Sequence, residues 1–168
     1  MDRLARRGAG IVLGTAAVVY LLDRLTKAWA ENVLAARAPI DVIPGVLRFR
    51  FATNPGGAFS LGASAPWFFA GATIVVSGLI VASAFRRRSG WQALAMGLVL
   101  GGALGNLTDR ATRAPRLRGE VVDFIDVGIW PVFNVADMAI VCGAILLAWT
   151  SFRSPRDEAA DTVDADAH

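Results

Sequence analysis

Three aspartates lie beside or inside apolar runs: Asp123 and Asp126 in Val121-Val122-Asp123-Phe124-Ile125-Asp126, and Asp137 at the end of Phe133-Asn134-Val135-Ala136-Asp137. A carboxylate at the lip of an apolar segment is costly and calls for a use. Two carboxylates brought close together cannot easily both ionise, so they share a proton. One can then act as base toward a water while the other polarises a carbonyl. Residue types remove the rivals. The one histidine is the last residue, His168, and the one cysteine, Cys142, sits in an apolar run. That excludes an intramolecular disulfide, a thiolate metal cluster, a catalytic histidine and a zinc held by several histidines. A Ser–Lys dyad would need Lys27, the single lysine, beside Ser60 or Ser64, but Lys27 already has Asp23 as its i,i+4 neighbour. An aspartate pair acting on water is the stronger enzyme reading, with no metal and no cofactor. Asp137 is the hardest of the three to dismiss, having no basic residue at i±3 or i±4. Residue type alone does not choose between Asp123 and Asp126.

The elements that must hold these residues are membrane helices. Of 168 residues 55% are hydrophobic and 18% charged, too apolar for an ordinary soluble domain and suited to a small polytopic membrane protein. The net charge of +3 comes from arginines clustered between apolar runs, which reads as membrane-flanking charge and not as a nucleic-acid surface. Four spans are expected, at about 8–30, 66–85, 91–107 and 132–149, in one domain covering 1–153. Twenty residues of the second span reach across a hydrocarbon core of roughly 30 Å. The basic start and apolar run 8–22 resemble a secretory leader, but the helical pattern runs on through Asp23 to Trp29 without a good cleavage site. Gly and Ala crowd the third span, which suits close helix contact in lipid. In the loop 31–65, Val46 to Phe51 alternates apolar with basic, a strand signature, and Asn54-Pro55-Gly56-Gly57 breaks it as a turn. The fold class is therefore membrane all-α: a four-transmembrane-helix bundle with a small extracytoplasmic β element on the outer face. The outer loops are 31–65 and 108–131, and 154–168 is an acidic, disordered cytoplasmic tail.

Arg86-Arg87-Arg88 in the very short second loop, with the basic ends, puts both termini in the cytoplasm, although Arg110, Arg113, Arg116 and Arg118 fall on the opposite side. That topology gathers Asp23 and Lys27, Asn54, Asn106, Asp109 and Arg110, Asp123, and Asn134 and Asp137 at one depth near the outer interface. Each has a plainer role to weigh. Asp23 with Lys27 reads equally as a structural ion pair; Arg110 reads first as a headgroup contact or a partner for Asp109; Asn134 fits a helix N-cap. Arg113, Arg116 and Arg118 have no role beyond headgroup contact. A proton-coupled transporter would also bury Asp and Arg, but along a whole pore, whereas the inner halves of these spans are almost purely apolar. A structural membrane subunit would tolerate loss of Asp137.

Laid out in order, these segments resemble lipoprotein signal peptidase, the type II signal peptidase of bacteria, over about residues 10–150. The likeness is carried by Asp23-Arg24-Leu25-Thr26-Lys27, with Arg24 where the family more often has glutamine; by Asn54-Pro55-Gly56-Gly57-Ala58-Phe59-Ser60; by Gly101 through Arg110; and by the two aspartate segments above. The resemblance implies that Asp123 and Asp137 are the catalytic pair, with Asp126 outside it. Asn54, Gly56, Asn106, Arg110 and Asn134 would orient the pair and the substrate, and Asp23, Lys27 and Asp109 would support the architecture. It implies cleavage before a diacylglyceryl-modified cysteine of a prolipoprotein, by a metal-free monomer among membrane lipids at the outer face of the bacterial inner membrane.

Overall fold

The computed structural model describes residues 3–56, 66–86, 88–114 and 119–152. Four helices, α1 (Arg3–Val33), α2 (Pro66–Ser83), α3 (Gly90–Thr112) and α4 (Val135–Phe152), carry a small antiparallel sheet of β1 (Ile40–Ile43), β2 (Leu47–Asn54) and β3 (Val121–Asp126) in the order β1-β2-β3. Ser60, Ser64, Arg87, Arg116, Arg118 and the tail expected to be disordered lie outside the described residues.

The bundle is organised by one stripe of α1. Ala5, Ala9, Val12, Ala16, Val19, Asp23, Lys27 and Ala30 are buried, at spacings of three and four that keep one face inward. For its first two-thirds that stripe is small and apolar. In its last third the same face turns ionic. α3 meets it with glycine: a Cβ on Gly101 would stand 2.7 Å from the carbonyl oxygen of Ala16, so only a residue without one lets the two backbones come this close. The outside is inverted relative to a water-soluble protein. Leu21, Leu25, Val75, Leu79, Val141 and Ile145 are exposed, while Asp23, Lys27, Asp109 and Asn134 are fully buried. α1 and α4 are each long and apolar enough to cross a membrane.

The sheet caps the ionic end. β3 alternates: Val122 and Phe124 turn to the end of α1, where they pack with Ala30 and Leu34. Trp29 meets Phe49 and Phe124 edge-on at centroid distances of 5.5 and 5.9 Å, which clamps the sheet to α1. Several boundaries differ from the sequence expectation. The strand expected from Val46 begins at Leu47 and runs through Asn54, because Val46 belongs to the turn that Gly45 makes at φ 75°. The stretch 108–131, expected as loop, holds the last turn of α3 and the whole of β3. α3 continues to Thr112 because Asp109 and Arg110 find buried partners there instead of breaking into solvent.

Asp126 ends β3 on the face opposite Asp123. Its carboxylate accepts from Arg48 Nε at 2.8 Å, Arg50 Nε at 2.6 Å and the Gly128 amide at 2.8 Å. The Arg50 hydrogen bond above all, then the Gly128 amide, holds this carboxyl well below the ordinary carboxylate range. A depressed acid stabilises the fold above its unfolded value of 3.8, and that contribution is lost as the pH falls below it. Asp126→Asn should therefore melt lower than the parent above about pH 4. The gap should narrow on acidification, in a thermal scan of the detergent-solubilised protein across pH; a gap independent of pH would assign the loss to packing.

Candidate active site

α4 starts at a reciprocal cap. Asn134 Oδ1 accepts from the Asp137 amide at 2.9 Å, and Asp137 Oδ2 accepts from the Asn134 amide at 3.2 Å, so the first turn of the helix fixes the Asp137 carboxylate. The Asn134 side chain then faces β3. Its Nδ2 donates to Asp123 Oδ1 at 2.7 Å and lies 3.2 Å from both the Val122 carbonyl and Asn106 Oδ1. One fully buried asparagine thus joins α4, α3 and β3. Asp137 Oδ1 accepts from Asn106 Nδ2 at 2.8 Å, and Asp123 is hydrogen-bonded by the Asn54 side chain as well. Each aspartate is held by two donors from different elements. Burial first, and the charge of Asp137 second, push the Asp123 carboxyl up to about 7.

Arg110 departs from its plainer expectation. It does not pair with Asp109 but donates to backbone: Nη2 to the Gly56 carbonyl, and Nη1 to those of Pro55 at 3.4 Å and Gly119 at 3.5 Å. It ties the turn after β2 to α3 and interacts electrostatically with Asp123 and Asp137. That turn is completed by the Gly56 amide, which donates to Asn54 Oδ1 at 3.0 Å. Asp109 is instead taken by Lys27 at 2.9 Å and by Arg24 at 2.5 Å. Lys27 also meets Asp23 Oδ2 at 2.9 Å, and Asp23 Oδ1 caps the Ala136 amide at 3.0 Å. Arg113, without an assigned role in the sequence, pairs with Glu31 of α1.

These groups surround one cavity of about 440 Å³. Asn54, Gly56, Asn106, Arg110, Asp123 and Asp137 form its polar wall, while Asn134 lies behind them and Asp23, Lys27 and Asp109 lie deeper still, off the wall. Much of the remaining wall is apolar, with Ala72 and Val76 of α2, Ala103 of α3 and Ile140 of α4. Trp130 and Phe133 form part of the rim and were not expected from the sequence. The Trp130-Pro131 pair before a helix was the available signal, since an aromatic residue there suits a membrane interface. Asp126 is absent from the wall. Once Val121–Asp126 is known to be a strand the two separate, because residues three apart on a strand face opposite sides.

An apolar-sided helical bundle with a carboxylate-lined cavity at one end is the form of a membrane enzyme. Two solved structures, each described as a bacterial membrane enzyme, match it at 30% identity. One has a TM-score of 0.74 and covers 84% of this chain and 87% of its own; the other scores 0.73 and covers 86% and 94%. A family model described as signal peptidase (SPase) II matches residues 15–153. Lipoprotein signal peptidases of Rhodococcus jostii and Mycobacterium avium are 48% and 43% identical, over 83% and 87% of this chain and 67% and 80% of their own lengths. The chain belongs to the signal peptidase II family, and is thereby a membrane peptidase of lipoprotein processing.

Proposed function

We propose that this protein is an aspartic endopeptidase that removes signal peptides from prolipoproteins, cutting before the diacylglyceryl-modified cysteine, with Asp123 and Asp137 as its catalytic pair. The observation that carries the reading is the shape of the cavity. Two buried carboxylates on separate elements line one cavity whose remaining wall, from α2, α3 and α4, is largely apolar. A lipid-anchored substrate held in the bilayer would bring its scissile bond to the carboxylates and its apolar parts to the apolar wall.

All four helices span the membrane in this reading, and the sheet with its loops 31–65 and 108–131 sits on the outer face. The start of α1, with Arg3, Arg6 and Arg7, lies beside the backbone of Arg86, so these arginines share the end opposite the sheet. By the positive-inside rule that end is cytoplasmic. The protein works as a monomer in the inner membrane, without metal or cofactor.

Chemistry follows from a singly protonated pair. The ionised aspartate takes a proton from a water between the two, and the hydroxide adds to the peptide carbonyl carbon. The protonated partner gives its proton to the carbonyl oxygen. Collapse of the tetrahedral species breaks the C–N bond: the proton first taken from water passes to the departing amine of the cysteine, and a gem-diol hydroxyl returns its proton to the partner aspartate. The test is the pH profile of cleavage of a lipidated prolipoprotein by the purified protein, with an unlipidated substrate as the second arm. With Asp123 pushed up to about 7, the rate should fall as the pH rises beyond that region, when the pair loses its shared proton. The unlipidated chain should be cut at least tenfold more slowly. A profile flat to pH 9, or equal rates on both substrates, would overturn the proposal.

A further inference from the structure

One fully buried charged group beside this site is absent from the cavity wall. Lys27 is fully buried and does not line the wall, yet it has three partners: it forms ion pairs with Asp23 Oδ2 and Asp109 Oδ2, each at 2.9 Å, and donates a hydrogen bond to Asn106 Oδ1 at 2.8 Å. The third contact has a consequence for the aspartate pair. An ammonium can only donate, so the Asn106 atom facing it must be the oxygen, and the amide nitrogen is thereby turned to Asp137 Oδ1 at 2.8 Å. The same oxygen lies 3.2 Å from Asn134 Nδ2, the amide that holds Asp123. A flipped Asn106 would present nitrogen to Lys27 and oxygen to Asp137, two repulsive contacts in place of two favourable ones.

Charge gives Lys27 a second effect. The groups facing this centre are Asp23, Arg24 and Lys27 from α1, Asp109 and Arg110 from α3, Asp123 from β3 and Asp137 from α4; the cavity-lining residues of α2 are uncharged. Arg113 reaches Asp109 at 3.8 Å but is paired with Glu31, so that couple adds one charge of each sign and cancels; Asp126 with Arg48 and Arg50 lies outside the group. Four carboxylates then stand against three cations. The buried set is electrically neutral when the aspartate pair holds one proton. A second ionisation leaves an uncompensated charge in a medium where that is expensive. Arg24, standing where the family more often has glutamine, is part of this balance.

We infer that Lys27 is a positioning residue for the catalytic pair: through Asn106 it fixes the donor facing Asp137, and by its charge it sets the pH range in which the pair holds a single proton. The inference rests on the proposed roles of Asp123 and Asp137. It goes beyond structural support because it specifies an effect on turnover and not on fold alone.

Two variants test it in purified, detergent-solubilised protein acting on lipidated prolipoprotein. Lys27→Met keeps the length of the side chain and removes its donors and charge. Asp23→Asn with Lys27→Met removes one charge of each sign, sparing the fold an unpaired carboxylate, while Asn134→Ala can still read whether the amide relay is in use. In Lys27→Met, kcat should fall at least 30-fold at neutral pH with KM within threefold, since Lys27 does not reach the cavity. Its alkaline limb should move up by about one pH unit, because a cation that favoured the ionised form is gone. The double variant should keep the low kcat, with the limb returned toward the parent position. Asn134→Ala added to it should cost less than in the parent, the relay being already broken. A folded variant of either kind with parental kcat overturns the inference, as does a loss confined to KM or a limb unmoved in Lys27→Met. If Lys27→Met fails to fold, the kcat of the double variant decides. Asp123→Asn run alongside separates the two failures: an active Asp123→Asn sinks the proposed pair itself, whereas an inactive one beside a normal Lys27→Met sinks only the role of Lys27.

Discussion

Asp123→Asn and Asp137→Asn should each leave less than about a thousandth of the parental cleavage rate. General acid–base participation contributes roughly 10²–10⁴-fold. In a two-aspartate site each partner serves in both halves of the reaction, so the loss lies toward the upper end. Asparagine is nearly the same size; at position 123 it can still accept from Asn134, whereas at position 137 its single oxygen can serve only one of the two donors there, Asn106 Nδ2 or the Asn134 amide. What disappears in both is the ability to take or give a proton. Asp123→Asn should not melt lower than the parent above neutral pH. Asp123 has a raised folded value, so its ionised form opposes folding increasingly as pH rises from 3.8 through about 7. Single-turnover conversion of a lipidated prolipoprotein, followed by mass, is the proper readout because it isolates bond cleavage from product release. Asp126→Asn is the contrast. Its carboxylate serves the Arg48, Arg50 and Gly128 contacts on the opposite strand face, and turnover should stay within threefold of the parent. Activity retained in either of the first two variants removes that aspartate from the mechanism.

The charged stripe of α1 was open to reading because helical periodicity puts Asp23 and Lys27 on one face whatever surrounds them. The apolar runs gave the helices for a similar reason, since their length needs no partner to interpret. What the sequence could not supply was the pairing of β3 with β2. Val121–Asp126 is short and apolar, with neither the length of a helix nor clean alternation, and its strand character comes from hydrogen bonds to a segment some seventy residues earlier. With that pairing unknown, Asp123 and Asp126 stayed equivalent by residue type, and only family likeness parted them. The destination of Arg110 was hidden for the same reason. Its acceptors are backbone carbonyls of residues 55, 56 and 119, and no side-chain pattern advertises a carbonyl.

Gly102→Ala should disable the enzyme through a single methyl group that touches neither aspartate but presses on the residue before Asp137. A Cβ at Gly102 would fall well inside contact distance of the Ala136 carbonyl oxygen and 2.8 Å from Ile140 Cγ1. The isoleucine tip can rotate away. The carbonyl cannot, because it belongs to the first turn of α4, whose neighbouring amide is capped by Asp23 and whose next residue is Asp137. Two effects compete. Replacing glycine by alanine within a helix gains up to about 1 kcal/mol of propensity, whereas forcing a methyl into a closed seam costs roughly 1–3 kcal/mol. A backbone obstacle puts this site at the costly end, so the variant should be less stable than the parent. The effect on catalysis should be larger than the effect on stability. To admit the methyl, the start of α4 must shift away from α3, and Asp137 moves with it relative to Asn106 and Asp123. A displacement on the order of 1 Å in a reacting group can cost about 10²-fold in rate. Gly14→Ala is the control: nothing lies within 4 Å of its Cβ on the outer face of α1, so the same substitution there should leave turnover unchanged and melting equal to or above the parent's. Turnover and melting temperature measured on both variants separate the outcomes. If Gly102→Ala keeps full turnover, the seam between α3 and α4 tolerates a methyl and the position of Asp137 does not depend on it.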